Sequence, residues 1–236
     1  MELGMMSIPL HQDSHACFIS TTMGTLSISH SGHLDVTNLC WLNGVDARNM
    51  RGADILEAEK HFGDFRLFVY GTLKQGFVNH ERFFPGGAES RLACVPGVLF
   101  DTPWNHPVAR IPSNCILAYG SSSVCADLAV QCQFRSWVDP NAAVKSTDSP
   151  YFSGQILQGE ILILDDPDRD LPKLDAFEEY TPGSSSSRFQ RILVWTLWGD
   201  LWIAAWMYAG GSIFENHKFQ EIPTGSWPPP WSPDNK

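Results

Sequence analysis

From Arg191 to Gly210 the chain reads RILVWTLWGDLWIAAWMYAG, two apolar, β-rich arms of similar length on either side of Gly199-Asp200. Glycine followed by aspartate tolerates the positive φ of a tight hairpin turn, so the stretch predicts two adjacent antiparallel strands. A hairpin this apolar has no wet face and must be covered on both sides. Further strand-like runs precede it: LFVY (67–70), GVLF (97–100), CILAY (115–119) and GQILQGEILIL (154–164). Between them lie loops rich in Pro, Asn and Gly, and a single convincing helix. Many short strands with little helix predict an α+β fold: a small mixed, mostly antiparallel β-barrel, closed or nearly so, with short helices on its outside.

Three segments follow from the change of texture along the chain. Residues 1–63 show no sustained period of 2 or 3.6 and are expected to be a poorly ordered N-terminal extension. Residues 64–215 carry the strands and form the domain. Residues 216–236 are a Pro-rich C-terminal tail, in which IPTGSWPPPWSPDNK predicts an extended polyproline-type end draped on the surface. The stretch from Gly120 to Gly154 reads as an inserted excursion.

A net charge of -10 leaves no concentrated basic face for phosphates, which argues against nucleic acid as a partner. No apolar run approaches the roughly 20 residues that span a bilayer, and the N-terminus lacks a basic region followed by an apolar one. A cytoplasmic protein with no membrane partner is the expectation. The six cysteines, without a secretory signal, read as reduced thiols. His11, His15, Cys17, His30, His33 and Cys40 could be drawn as a metal set, yet no CxxC or HExxH spacing accompanies them, and no metal or cofactor is implied.

Two places carry chemistry. In FRLFVYGTLKQGFVNH the buried run stops at Gly71, where a glycine can turn the backbone sharply and leave successive N–H groups free to cradle an anion. The same residues would also serve as a plain strand-to-loop turn. A nucleotide P-loop is excluded, because Phe77-Val78 stands where Lys-Ser/Thr is required. The second place is DLPKLDAFEEYTPG, a short helix expected to start at an Asp170 cap with Pro172 in its first turn and to end at Pro182-Gly183. On its wheel Leu171, Leu174 and Phe177 form the apolar stripe and Glu178 falls within it, so one carboxylate faces inward. Such a group has its pKa raised by desolvation and can exchange protons near neutrality. Alternatively the helix ends early and Glu178 reaches water, or Arg188 or Arg191 pairs with it.

VYGTLKQGFVNH, GEILIL, LDAFEEY followed by SRFQR, and AAWMY, in this order, resemble the gamma-glutamylcyclotransferase-like superfamily, nearest to its gamma-glutamylamine cyclotransferase branch. The resemblance covers roughly residues 65–210. It implies a compact barrel and a small-molecule substrate with a free γ-linked glutamyl group, released as 5-oxoproline and an amine. It assigns substrate binding to Tyr70, Gly71, Thr72 and Leu73, and the acid/base role to Glu178. The departures are Val78 for a proline, Leu162 for an aromatic, and Phe189 for a tyrosine. A non-catalytic module on the same fold, binding a small carboxylate or a protein, is the alternative.

Overall fold

The computed structural model describes residues 18–21, 24–27, 63–134, 137–138, 155–199, 201–215 and 217–229. Two units are distinguished, Met1–Leu42 and Asn43–Lys236. In the first, the described part is an antiparallel hairpin of β1 (Phe18–Thr21) and β2 (Gly24–Ser27). The rest of the expected extension up to Phe62, and residues 139–154 of the expected excursion, lie outside the described residues.

The second unit begins with β3 (Phe65–Val69), α1 (Val78–Phe83), β4 (Glu89–Pro96), β5 (Val98–Asp101), β6 (Val108–Arg110) and β7 (Ile116–Tyr119). It continues through α2 (Val124–Gln133), β8 (Trp137–Val138), β9 (Ile156–Leu164), α3 (Pro167–Phe177), β10 (Phe189–Trp198), β11 (Leu201–Gly210) and β12 (Gln220–Glu221).

Five strands close into a barrel in the order β10, β4, β9, β3, β11 and back to β10. The β10–β11 hairpin runs in unbroken register from Phe189 opposite Gly210 to Trp198 opposite Leu201. All pairings in the ring are antiparallel except that of β3 with β11, where Leu67 lies opposite Trp206. This is the expected mixed barrel of an α+β fold. β7 and β8 extend the sheet from β10 and β11, and β12, β5 and β6 form a separate small sheet.

Period-2 alternation explains why the central strands are apolar throughout. Phe68, Ile161, Ile192, Val194, Ile203, Ala205 and Met207 belong to a buried cluster to which β4 adds Ala93 and Val95, so that all five barrel strands contribute. Their neighbours Leu67, Leu162, Leu193, Ala204 and Trp206 belong to a second cluster that takes in Leu171 and Leu174 of α3. The first fills the barrel; the second is the layer beneath the helix.

Among the described residues three α-helices flank the sheet, as expected, although the sequence marked only one of them plainly. α2 escapes an apolar-stripe search because its buried face is polar: Gln131 receives the Arg66 N–H at 3.1 Å and donates to the Asp64 carbonyl at 2.8 Å. α3 starts earlier than the sequence suggests. Asp166, not Asp170, is the cap, its carboxylate accepting the Arg169 N–H at 3.1 Å, with Pro167 at the first helical position and Pro172 inside the helix. The Asp-Pro pair at 166–167 is itself a cap signal, one turn upstream of the one chosen.

The C-terminal segment also departs from the expectation of a draped tail. Ile222 and Trp227 are buried in the barrel cluster, and the Gln158 N–H donates to the Gly225 carbonyl at 2.7 Å. Of the described cysteines, Cys94, Cys115 and Cys132 form no disulfide, whereas Cys125 is disulfide-bonded, which corrects the expectation of reduced thiols throughout. No helix among the described residues is long and apolar enough to cross a membrane.

Inside the barrel Gly159 makes room for the Phe68 ring. A Cβ there would stand 2.6 Å from Phe68 Cζ and 2.3 Å from the Val69 carbonyl oxygen. Gly159→Ala is therefore expected to lower stability by at least about 1–3 kcal/mol, the usual cost of overpacking, as read from the urea midpoint.

Candidate functional site

At the end of β3 the chain leaves the barrel and lines a cleft of about 530 Å³. Tyr70, Gly71, Thr72 and Leu73 form one wall, Trp104, Asn105, His106 and Pro107 a second, and Phe177, Glu178 and Glu179 a third; Arg188, Phe189 and Tyr208 contribute from β10, its approach and β11. All five residues singled out in the sequence thus meet in one cavity.

The wall from Gly71 to Leu73 is built for exposed donors. The Lys74 N–H closes the turn on the Gly71 carbonyl at 3.1 Å, and the buried His80 donates from Nδ1 to the Leu73 carbonyl at 3.0 Å. No hydrogen bond among the described residues uses the N–H groups of Gly71, Thr72 or Leu73. Thr72 Oγ1 accepts from the Asn79 amide at 3.0 Å, which leaves its own proton to donate. Gly71 is not in the left-handed region, contrary to the expectation from its position. What requires glycine is the close approach of Pro107, whose Cγ would lie 2.9 Å from a Cβ. Tyr70 points into the core: its hydroxyl donates to the Tyr208 carbonyl at 2.8 Å and accepts the Ala109 N–H at 3.3 Å.

Glu178 owes its position to the way α3 stops. The helix ends at Phe177, earlier than the Pro-Gly signal suggests, in a Schellman turn: the Tyr180 N–H reaches the Asp175 carbonyl at 2.8 Å and the Glu179 N–H the Ala176 carbonyl at 3.4 Å. Glu179 takes the left-handed position normally given to glycine, with φ 52°. The two adjacent glutamates thereby diverge. Glu179 is exposed and pairs with Arg188 at 2.8 Å, whereas Glu178 is half-buried and has no side-chain hydrogen bond among the described residues. Burial pushes the Glu178 carboxyl up to about 8, with Arg188 opposing and Glu179 adding to the rise.

Behind the cleft lies a buried ionic group. Arg191 donates to both Asp175 oxygens at 2.9 Å, to Asp127 Oδ2 at 2.7 Å and to the Ser121 carbonyl at 2.6 Å, and the Tyr208 hydroxyl donates to Asp175 Oδ1 at 2.6 Å. Burial works against the Arg191 charge, but Tyr208, Asp175 and Asp127 more than offset it. Neither arginine suggested as a partner binds Glu178: Arg191 serves this group, and Arg188 bridges Glu179 and His106 Nε2, the latter at 3.1 Å. Accepting that bond makes His106 neutral, consistent with a pKa lowered by burial.

Asn79, Asn105, His106, Arg188 and Tyr208 were not singled out as lining residues from the sequence. Asn79 and Tyr208 stood inside the quoted motifs and could have been found there; Asn105 and His106 lie in an ordinary-looking loop. Asn105, at φ 55°, and Glu179 are the non-glycine residues of positive φ among those described, and both line this cleft. Such conformations gather where a site imposes them. The N-terminal His and Cys set lies outside the described residues.

No protein-family model matches the chain, and no curated protein sequence does. Solved structures similar to it include an AIG2-like protein from Mus musculus (TM-score 0.40, 18% identity, covering 73% of this chain and 92% of that one). An uncharacterised protein from Pyrococcus horikoshii is similar at TM-score 0.39 and 16% identity, over 69% of this chain and 88% of that one. The Bacillus subtilis protein YkqA is similar at TM-score 0.38 and 17% identity, over 70% of this chain; the chain spans only 39% of YkqA's length. At such scores the site is read from its own geometry.

Two outcomes are expected here. Arg191→Met leaves Asp127 and Asp175 buried without their cation and is expected to cost about 3–5 kcal/mol of stability in urea titrations. The raised Glu178 carboxyl gives a distinct signature: between the ordinary 4.5 and about 8 the folded chain holds a proton that the unfolded chain has lost. Stability from this group is thus full below pH 4.5 and lost as pH rises through about 8. Glu178→Gln should therefore gain stability relative to the parent at pH 8.5 and not at pH 4, measured by urea denaturation at both.

Proposed function

We propose that the protein is a cyclotransferase that converts a γ-glutamyl amine or γ-glutamyl peptide into 5-oxoproline and a free amine, without a metal. The observation that carries the reading is the presence in one small cleft of a glutamate with its carboxyl raised to about 8 and a turn of backbone N–H groups, both without hydrogen-bond partners among the described residues. A cleft of about 530 Å³ suits a small, polar ligand.

The substrate carries its own nucleophile. Held bent, its α-nitrogen lies against its γ-carbonyl carbon, and that proximity removes much of the barrier. Glu178 as carboxylate takes a proton from the α-ammonium. The freed amine attacks the γ-carbonyl carbon, forming the ring C–N bond; the bond to the leaving nitrogen then breaks as Glu178 returns the proton to it. The second proton lost by the α-nitrogen also ends on the departing amine, which leaves as an ammonium while Glu178 is again a carboxylate. The N–H groups of Gly71, Thr72 and Leu73, with the Thr72 hydroxyl, are donors for the glutamyl carboxylate or for the oxygen that gains charge. Tyr70 holds the turn to β11 through the Tyr208 carbonyl.

Glu178→Gln keeps the shape and removes the proton carrier. It should fold and lose 5-oxoproline release by about 10²–10⁴-fold, followed by mass spectrometry over a panel of γ-glutamyl amines and peptides. In the parent, kcat/KM should rise with pH toward about 8, as the carboxylate form accumulates. Unchanged turnover in the variant would reject the assignment; binding without product in the parent would favour a non-catalytic module.

A further inference from the structure

The binding turn also has neighbours that do not line the cleft. There the Lys74 ammonium donates to the carbonyl oxygen of Trp227 and stands 5.5 Å from the centroid of the Phe77 ring. The Phe77 ring in turn lies 5.3 Å from that of Trp227, which belongs to the same buried barrel cluster as Phe68 and Tyr70. Lys74 is also the residue whose N–H closes the turn on Gly71. Its backbone and its side chain therefore tie the cleft wall to the C-terminal segment.

That segment is anchored independently of the turn. The Ile222 N–H donates to the Leu99 carbonyl at 2.8 Å, the Gln158 N–H to the Gly225 carbonyl at 2.7 Å, and Gln158 Nε2 to the Thr224 carbonyl at 3.1 Å. Gly225 has φ 63°, and a Cβ there would stand 1.8 Å from the Ile156 carbonyl oxygen, so the segment lies directly on β9. From β9 itself, Glu160 Oε2 accepts the Gln75 N–H at 2.9 Å and the Ser90 hydroxyl at 2.8 Å. Backbone donors favour a developing or bound charge only if they are already in place. The free N–H groups take no part in holding the turn, which is tied through its carbonyls, Thr72 and Gln75, and Lys74 adds the link to the C-terminal segment.

We propose that Trp227 is a positioning residue for the turn formed by Gly71, Thr72 and Leu73, acting through Lys74 and Phe77. Residues 222–227, outside every motif that carries the family resemblance, are thus part of what sets affinity for the ligand. The identity of that ligand rests on the cyclotransferase reading above; the positioning does not.

The test compares Trp227→Ala, Lys74→Met and Trp227→Phe in the full chain, by amide hydrogen exchange and by kinetics with γ-glutamylethylamine. In Trp227→Ala and Lys74→Met, exchange at the hydrogen-bonded Lys74, Gln75 and Phe77 amides is expected to quicken about tenfold while the β10–β11 amides stay protected, which separates local loosening from unfolding. KM should rise about 3–10-fold with kcat changed less than about twofold, the pattern of lost binding without lost chemistry. Trp227→Phe, which keeps a ring against Phe77, should restore most of the protection. Unaltered exchange at Lys74, Gln75 and Phe77 in both disruptive variants overturns the proposal, as does quickened exchange with KM unmoved. If no variant, nor the parent, releases 5-oxoproline, the cyclotransferase reading fails, and the exchange data decide the positioning alone.

Discussion

The fold is held at the site by a cation that cannot leave. Arg191 is almost wholly buried on β10, and its guanidinium joins Asp127 of α2 to Asp175 of α3, with Tyr208 of β11 completing the set. Charges taken out of water at this depth are tolerable only if each stays paired, so the elements that carry them are fixed relative to one another. Gly120 belongs to the same arrangement: a Cβ there would stand 2.6 Å from Arg191 Nε, and its carbonyl receives the Tyr180 hydroxyl at 2.6 Å.

Asp175 and Glu178 sit one turn apart at the end of the same helix and live under opposite conditions. The first accepts three bonds, two from the arginine and one from Tyr208; the second faces the cleft with none among the described residues. Pinning the first places the second. The Schellman turn then directs Glu179 into an ion pair with Arg188, so that of the two carboxylates lining the cleft one is paired. A single helix terminus thus separates an acid used for structure from one whose proton is available.

Much of this was legible in the sequence because it depends on local pattern. The hairpin around Gly199 and the strand before Gly71 follow from periodicity and turn chemistry over a dozen residues; the helical wheel counted Phe177 in its apolar stripe, yet Phe177 is exposed, and the turn that ends α3 sets the place of Glu178. Less local features were not legible. α2 buries Asp127 and Gln131, whose partners lie at Arg191 and at Asp64 and Arg66, so no stripe marks it. Gly71 was credited with an unusual torsion when the reason for it is Pro107, a neighbour only in space. The start of α3 was misplaced because Asp166 and Asp170 offer competing caps, and only the fold chooses between them. Trp227 was read as surface because proline density describes a backbone without sheet donors and says nothing of where an aromatic ring goes.

The parallel pairing of β3 with β11 has a consequence for how the molecule comes into being. The ring closes only when Leu67 meets Trp206, so the earliest barrel strand waits for the latest. Contacts of such long separation in the chain form slowly, because the entropy of a large loop must be overcome first. During synthesis β3 leaves the ribosome well before its partner exists, with an apolar edge uncovered. The cavity is complete only when the barrel shuts, since Arg188, Phe189 and Tyr208 reach it from β10, its approach and β11.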